Sequence, residues 1–204
     1  MVQTMKHIVL AGDSIFDNDG YVLGEPGVVE QLRKSIPASW SAYKIAVDGD
    51  CIHHVNNQLK GLPTNCTDLV VSVGGNDARQ HSNLLSRVNT PSDLLTIMSG
   101  PVLAFRAAYS EMLDTISQLN VRLHVCTIYT AVPFDDPVLR RYAPMAIEAF
   151  NTIIVEEAAL REIPVFRLEE VCTEQGDFAA TSPIEPSSQG GQKIVDHIVA
   201  VLDS

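Results

Sequence analysis

The sequence predicts one three-layer α/β/α domain spanning residues 1–204, built on a central parallel sheet of about five strands. Apolar runs recur at 6–11, 43–47, 69–73 and 121–128, with a weaker one at 163–166. Stretches of helical periodicity lie between them, and strands alternating with helices give a parallel sheet covered on both faces. In addition, the first three runs end at polar, glycine-bearing turns. In an open α/β sheet such turns gather at the carboxyl edge of the strands, where these folds keep their chemistry.

The first strand, residues 7–11, stops abruptly at Gly12-Asp13-Ser14, a turn that would leave the Ser14 hydroxyl exposed at the sheet edge. The second run leads into Val47-Asp48-Gly49-Asp50 and the third into Gly74-Gly75-Asn76-Asp77. Before the fourth strand, Phe105, Tyr109, Met112, Leu113, Ile116 and Leu119 form one apolar stripe at helical spacing. After the fifth, Ile194, Val195, Ile198, Val199 and Leu202 form another, on a helix that should begin near Ser187 or Ser188. Residues 83–101 and 133–144 are interrupted by prolines and read as irregular excursions over the active edge, either substrate loops or plain surface connections. There is no internal repeat, low-complexity tract or linker that would divide the chain.

Composition narrows the function classes. With 46% hydrophobic and 19% charged residues, 204 residues are enough for one domain with a sizeable core. A net charge of −11 argues against binding to nucleic acid or an anionic membrane, whose phosphates would be repelled. The expected partner is a small molecule. The apolar run at residues 8–11 is too short for a signal-peptide core or a membrane span, so a soluble cytoplasmic protein is the expectation. Cys51, Cys66, Cys126 and Cys172 show no C-x-x-C spacing, which signals neither a zinc site nor a disulfide framework and fits free thiols in a reducing compartment.

Gly-Asp-Ser alone is an ordinary turn. Gly12-Asp13-Ser14, then Gly49, then Gly74-Gly75-Asn76-Asp77, each after an apolar strand and in this order, resemble the first three sequence blocks of the SGNH hydrolases, the GDSL esterase/lipase superfamily. The resemblance spans nearly the whole chain and implies a flavodoxin-like α/β/α fold and hydrolysis of a carboxylic ester of a small acylated or acetylated substrate, with no organic cofactor. It also implies Ser14 as nucleophile, with the Ser14 and Gly49 backbone N–H groups and the Asn76 side-chain amide as oxyanion donors. A glycine at 49 suits this role, because a missing Cβ lets the backbone approach a ligand closely. Asp13, Asp77 and Ser182 flank these positions and are read as bordering the substrate, Asp13 and Asp77 chiefly by accepting backbone N–H bonds that shape each turn.

The fourth block departs from the family. Where the family carries Asp-x-x-His, this chain reads Ser182-Pro183-Ile184-Glu185, so serine replaces the orienting aspartate and Glu185 the histidine base. Three readings stay open. In the first, Glu185 is the base, its pKa raised in a partly dry pocket so that it can accept the Ser14 proton. In the second, the base lies elsewhere: His53, which completes the Asp50-Cys51-Ile52-His53 spacing, or His54, or His81. In the third, the pocket binds an acyl or acetylated ligand without turning it over. No metal is expected. Asp17-Asn18-Asp19-Gly20 faintly resembles a calcium loop, but if Asp19 and Gly20 held positions five and six, position one would be Ile15, which offers no ligand oxygen. His7, His124, His197 and Lys193 read as structural or solvent-facing.

Overall fold

A computed structural model describes residues 5–203. The strands β1 (His7–Gly12), β2 (Ser41–Lys44), β3 (Asp68–Ser72), β4 (Arg122–Cys126) and β5 (Val165–Phe166) pair in parallel in the order β2-β1-β3-β4-β5. The helices are α1 (Val28–Ser35), α2 (Ile52–Gln58), α3 (Gly75–Arg79), α4 (Pro91–Ile116), α5 (Pro137–Ala159), α6 (Leu168–Val171) and α7 (Ser188–Leu202). This is the α/β/α sandwich that the strand–helix alternation predicts.

The strands read as continuous apolar runs because both faces of the sheet are covered. Successive side chains alternate between the two faces. Val9, Ala11, Leu69 and Val71 join the core that contains Val55 of α2, Tyr109 of α4 and Phe150 of α5. Ile8, Leu10 and Val70 join the opposite core with Leu32 of α1 and Ile198 of α7. The chain leaves β1 for β2 on one side and returns past β1 to β3 on the other. The strand order therefore reverses between β1 and β3, and a crevice opens at their carboxyl ends.

Several boundaries differ from the sequence reading. The second strand ends at Lys44, although Ile45, Ala46 and Val47 still donate to carbonyls of β1 (2.9, 3.1 and 3.1 Å) in an irregular continuation. Residues 91–101 and 137–144 are helical, because Pro91 and Pro137 occupy first-turn positions, where a proline has no intrahelical N–H bond to lose. Thr90 with Asp93, and Asp136, cap these two helices. Leu119 lies past the end of α4 and is 36% exposed. The fourth block is a strand, since β6 (Phe178–Ala179) and β7 (Ser182–Pro186) form an antiparallel hairpin. Pro183 and Pro186 obscure it, as prolines confine a strand to edge positions. The last helix starts as predicted, with the Ser187 hydroxyl accepting from the Gly190 N–H (3.1 Å).

Among the described residues no helix is long and apolar enough to cross a membrane. The four cysteines are free and buried.

Candidate active site

The first block owes its shape to Gly12. Its φ is +118°, and a Cβ there would lie 1.7 Å from the Ser72 carbonyl oxygen, so only glycine fits where the end of β1 crosses the end of β3. Asp13 N–H donates to that same Ser72 carbonyl (2.9 Å), and the Asp13 carbonyl accepts from Phe16 and Asp17 N–H (both 3.1 Å). The chain thus turns sharply with Ser14 at the bend. Ser14 is 5% exposed. Among the described residues no acceptor takes the backbone N–H of Ser14 or of Gly49.

Side chains that the sequence reading missed tie the three blocks together. The buried Gln58, on α2, accepts from Gly12 N–H (2.8 Å) and donates to the Gly12 carbonyl and to the Asp50 carboxylate (both 2.7 Å). Asn76 donates from Nδ2 to the Asp50 carbonyl (3.0 Å), which leaves its second amide hydrogen unused. Asp77 accepts from Ile52 N–H at 3.2 Å and fastens α3 to α2. Gly49 lies at an exposed turn with φ +82°, and a Cβ there would meet nothing within 4 Å. Its backbone conformation, rather than crowding, favours glycine.

Glu185 reaches the same rim from the far end of the chain. It is 4% exposed, and its carboxylate lies close enough to the Ser14 side chain to interact with it. Its backbone is gripped on both sides. The Tyr129 hydroxyl donates to the Ile184 carbonyl, and Asn18 Nδ2 donates to the Pro186 carbonyl (3.1 Å). Asn18 is fully buried and also accepts from Val28 N–H at the start of α1 (2.9 Å), so β7 is braced against the first block. Glu185 Oε2 is buried without a hydrogen-bond partner among the described residues.

Burial dominates the electrostatics. Loss of solvent raises the Glu185 pKa above its usual value, with the Asp48 charge adding to the rise. The neighbouring Ser14 side chain and the Arg79 guanidinium oppose it. Asp13 is pushed up to about 8, mainly by desolvation and further by the charges of Glu185 and Asp77. Asp77 is also raised by burial.

Asp13, Ser14, Asn76 and Glu185 line one cavity of ≈ 210 Å³. His81 borders it too, whereas His53 is exposed and lies on α2 with its ring centroid 3.8 Å from that of His54. Glu185 interacts with Ser14 across this cavity. Ser182 and Gly49 are not among the residues that line the cavity. Asp77 is likewise outside the lining, its carboxylate being engaged with α2.

Of the remaining charged residues, Lys44 pairs with both Asp17 and Asp19, the latter at 2.6 Å, so the two carboxylates of the acidic loop share the chain's own ammonium. Cys51, His53 and His54 bring donor atoms within 4.8 Å of one another. However, His54 Nδ1 already accepts from Cys51 N–H (3.0 Å), and burial pushes the Cys51 thiol up to about 11. His124 is buried and stacks on Phe166, and Lys193 pairs with Asp177.

Comparison with known proteins agrees with this architecture. A lipase from a goat rumen metagenome superposes with a TM-score of 0.72 at 19% identity, covering 97% of both chains. A lipase/acylhydrolase from Enterococcus faecalis gives 0.69 at 22%, covering 97% of this chain and 95% of its own. The acetyl xylan esterase AlAXEase gives 0.69 at 14%, covering 96% and 99%. No curated protein matches the sequence. Residues 10–193, from the end of β1 to within α7, match the profile of one family, and the chain therefore belongs to the GDSL-like lipase/acylhydrolase family.

Proposed function

We propose that the protein hydrolyses carboxylic esters through an acyl-Ser14 intermediate, with Glu185 as the general base. The observation that carries this reading is that the Ser14 hydroxyl and the buried Glu185 carboxylate stand beside each other at the wall of one cavity. Ser14 Oγ attacks the ester carbonyl carbon while Glu185 takes its proton. The N–H groups of Ser14 and Gly49 and the unused amide hydrogen of Asn76 receive the developing oxyanion. Collapse breaks the acyl C–O bond, and Glu185 returns its proton to the departing alkoxide. A water molecule then attacks the acyl carbon as Glu185 takes a proton from it, and the carboxylic acid leaves as Ser14 regains its hydrogen.

A solvated glutamate is too weak a base for this task near neutral pH. Burial brings Glu185 closer to the working range, because a general base acts best when its pKa lies near the ambient pH. The Tyr129 and Asn18 hydrogen bonds supply the orientation that a histidine base receives from its aspartate. Four buried free thiols fit a reducing compartment, and we place the protein in the cytoplasm with a small-molecule ester as its partner.

Intact-mass analysis after exposure to a fluorophosphonate across a pH series tests the reading. A single adduct on the wild type that is lost in Ser14→Ala, and formed about 10²-fold more slowly or worse in Glu185→Gln, is the expected result. No adduct at any pH would overturn it in favour of a site that binds without turnover.

A further inference from the structure

We infer that the acyl part of the substrate is an aliphatic chain of medium length, seated in the cavity beside Ser14; the inference rests on the catalytic reading above. The fold leaves acyl length open, since both lipases and an acetyl xylan esterase superpose on this chain. The cavity's lining speaks to that length. Away from Ser14, Asn76 and Glu185 its wall is formed by Leu85, Met98, Ile128, Phe134, Ala146 and Phe150. Leu85, Met98 and Phe150 are at most 4% exposed, so the inner wall belongs to the core itself.

At roughly 30 Å³ per water-sized group, a volume of ≈ 210 Å³ holds about seven methylene-sized groups. An acetyl group would occupy a small part of this space and leave apolar walls without contacts. A chain of about eight carbons replaces that void with dispersion contacts and removes its own surface from water. The walls also explain where the selectivity comes from. Ala146 and Ala143 of α5 both line the cavity, and a larger residue at either position would shorten it from the side.

The test is a series of p-nitrophenyl esters from acetate through butyrate, hexanoate and octanoate to palmitate. kcat/KM is expected to rise about fourfold per added methylene as far as octanoate and to fall at palmitate. Ala146→Phe is expected to lower the octanoate-to-acetate ratio of kcat/KM at least tenfold. Ala143→Leu serves as a milder second variant, and melting curves verify that each variant folds. A flat series, or a ratio unmoved in folded variants, overturns the inference. Calorimetric titration with 1-octanol keeps it separate from catalysis: saturable binding weakened by the filling variants supports the cavity as a chain site even if no ester is hydrolysed. Absence of 1-octanol binding overturns the inference whatever the esterase result.

Discussion

The carboxamide of Gln58 closes a two-bond ring with the backbone of Gly12, accepting from its N–H at 2.8 Å and donating to its carbonyl at 2.7 Å. The same amide also reaches the Asp50 carboxylate (2.7 Å), so one buried side chain fixes the spacing between the Ser14 turn and the Gly49 turn. Gln58→Leu keeps the volume and removes all three bonds, leaving the Gly12 N–H buried without an acceptor. A buried group orphaned in this way costs about 2 kcal/mol, or a Tm lower by roughly 4–8 °C. Thermal unfolding measures the first effect. Because the turns lose their mutual spacing, kcat should also fall at temperatures where the variant is fully folded, and an unchanged kcat would show that the turns hold their positions without Gln58.

The pH profile reports the chemical identity of the base. The proposed mechanism requires ionised Glu185, so kcat/KM should fall on the acid side as pH drops through its pKa, which burial places above the ordinary 4.5. The Arg79 guanidinium favours the ionised form, and Arg79→Gln should therefore move the limb to higher pH, by a small amount because Arg79 is exposed. A His53→Ala, His54→Ala double variant should leave the limb where it is. Movement of the limb in that variant, with none in Arg79→Gln, would assign the base to a histidine.

Asp13 makes stability depend on pH in the opposite sense to most carboxylates. Its pKa rises from 3.8 to about 8 on folding, chiefly through desolvation. Below about 4 the group is protonated in both the folded and unfolded chain. Between about 4 and 8 the unfolded chain has released the proton while the folded one retains it, so stability declines as pH rises through that window. Asp13→Asn imitates the protonated acid and can still accept from Ile15 N–H, which Asp13 Oδ1 does at 3.1 Å. Its Tm should exceed that of the wild type by several degrees at pH 8, with the difference vanishing toward pH 4. Equal curves at both pH values would show that Asp13 ionises at its ordinary pKa.

Reading the sequence was enough to place Ser14 and Asn76 on one rim, because strand ends and glycine turns are local signals and parallel connectivity gathers them at one edge, whereas Glu185 stood as one of three open readings for the base. The braces around them were hidden. Asn18 and Pro186 lie 168 positions apart, and Tyr129 and Ile184 55 apart, so neither pairing leaves a trace in local periodicity. The strand β7 was hidden as well, because Pro183 and Pro186 are residues that strand interiors exclude. The cavity was missed for a different reason. Pro91 and Pro137 suggested broken loops, whereas at first-turn positions they start the two helices that wall it.

Tyr129 provides the sharpest separation of position from stability. Its hydroxyl holds the Ile184 carbonyl, its ring packs edge-on against Phe178 of the same hairpin at 5.1 Å between centroids, and it lines the cavity. Tyr129→Phe preserves the ring and removes one hydrogen bond, at a cost of about 1 kcal/mol and ~2–4 °C in Tm. If that bond served the fold alone, kcat would not change in the folded variant. If it aims Glu185, releasing the preceding carbonyl lets the carboxylate drift from Ser14, and misplacement of about 1 Å can cost up to 10²-fold in rate. The expected result is a fall in kcat of about tenfold or more with KM nearly constant. Asn18→Ala, which frees the carbonyl on the other side of Glu185, should reproduce that pattern. The double variant should lose less than the product of the two single effects, since either release already sets the carboxylate adrift. Independent, multiplying losses would instead assign the two bonds to separate parts of the structure.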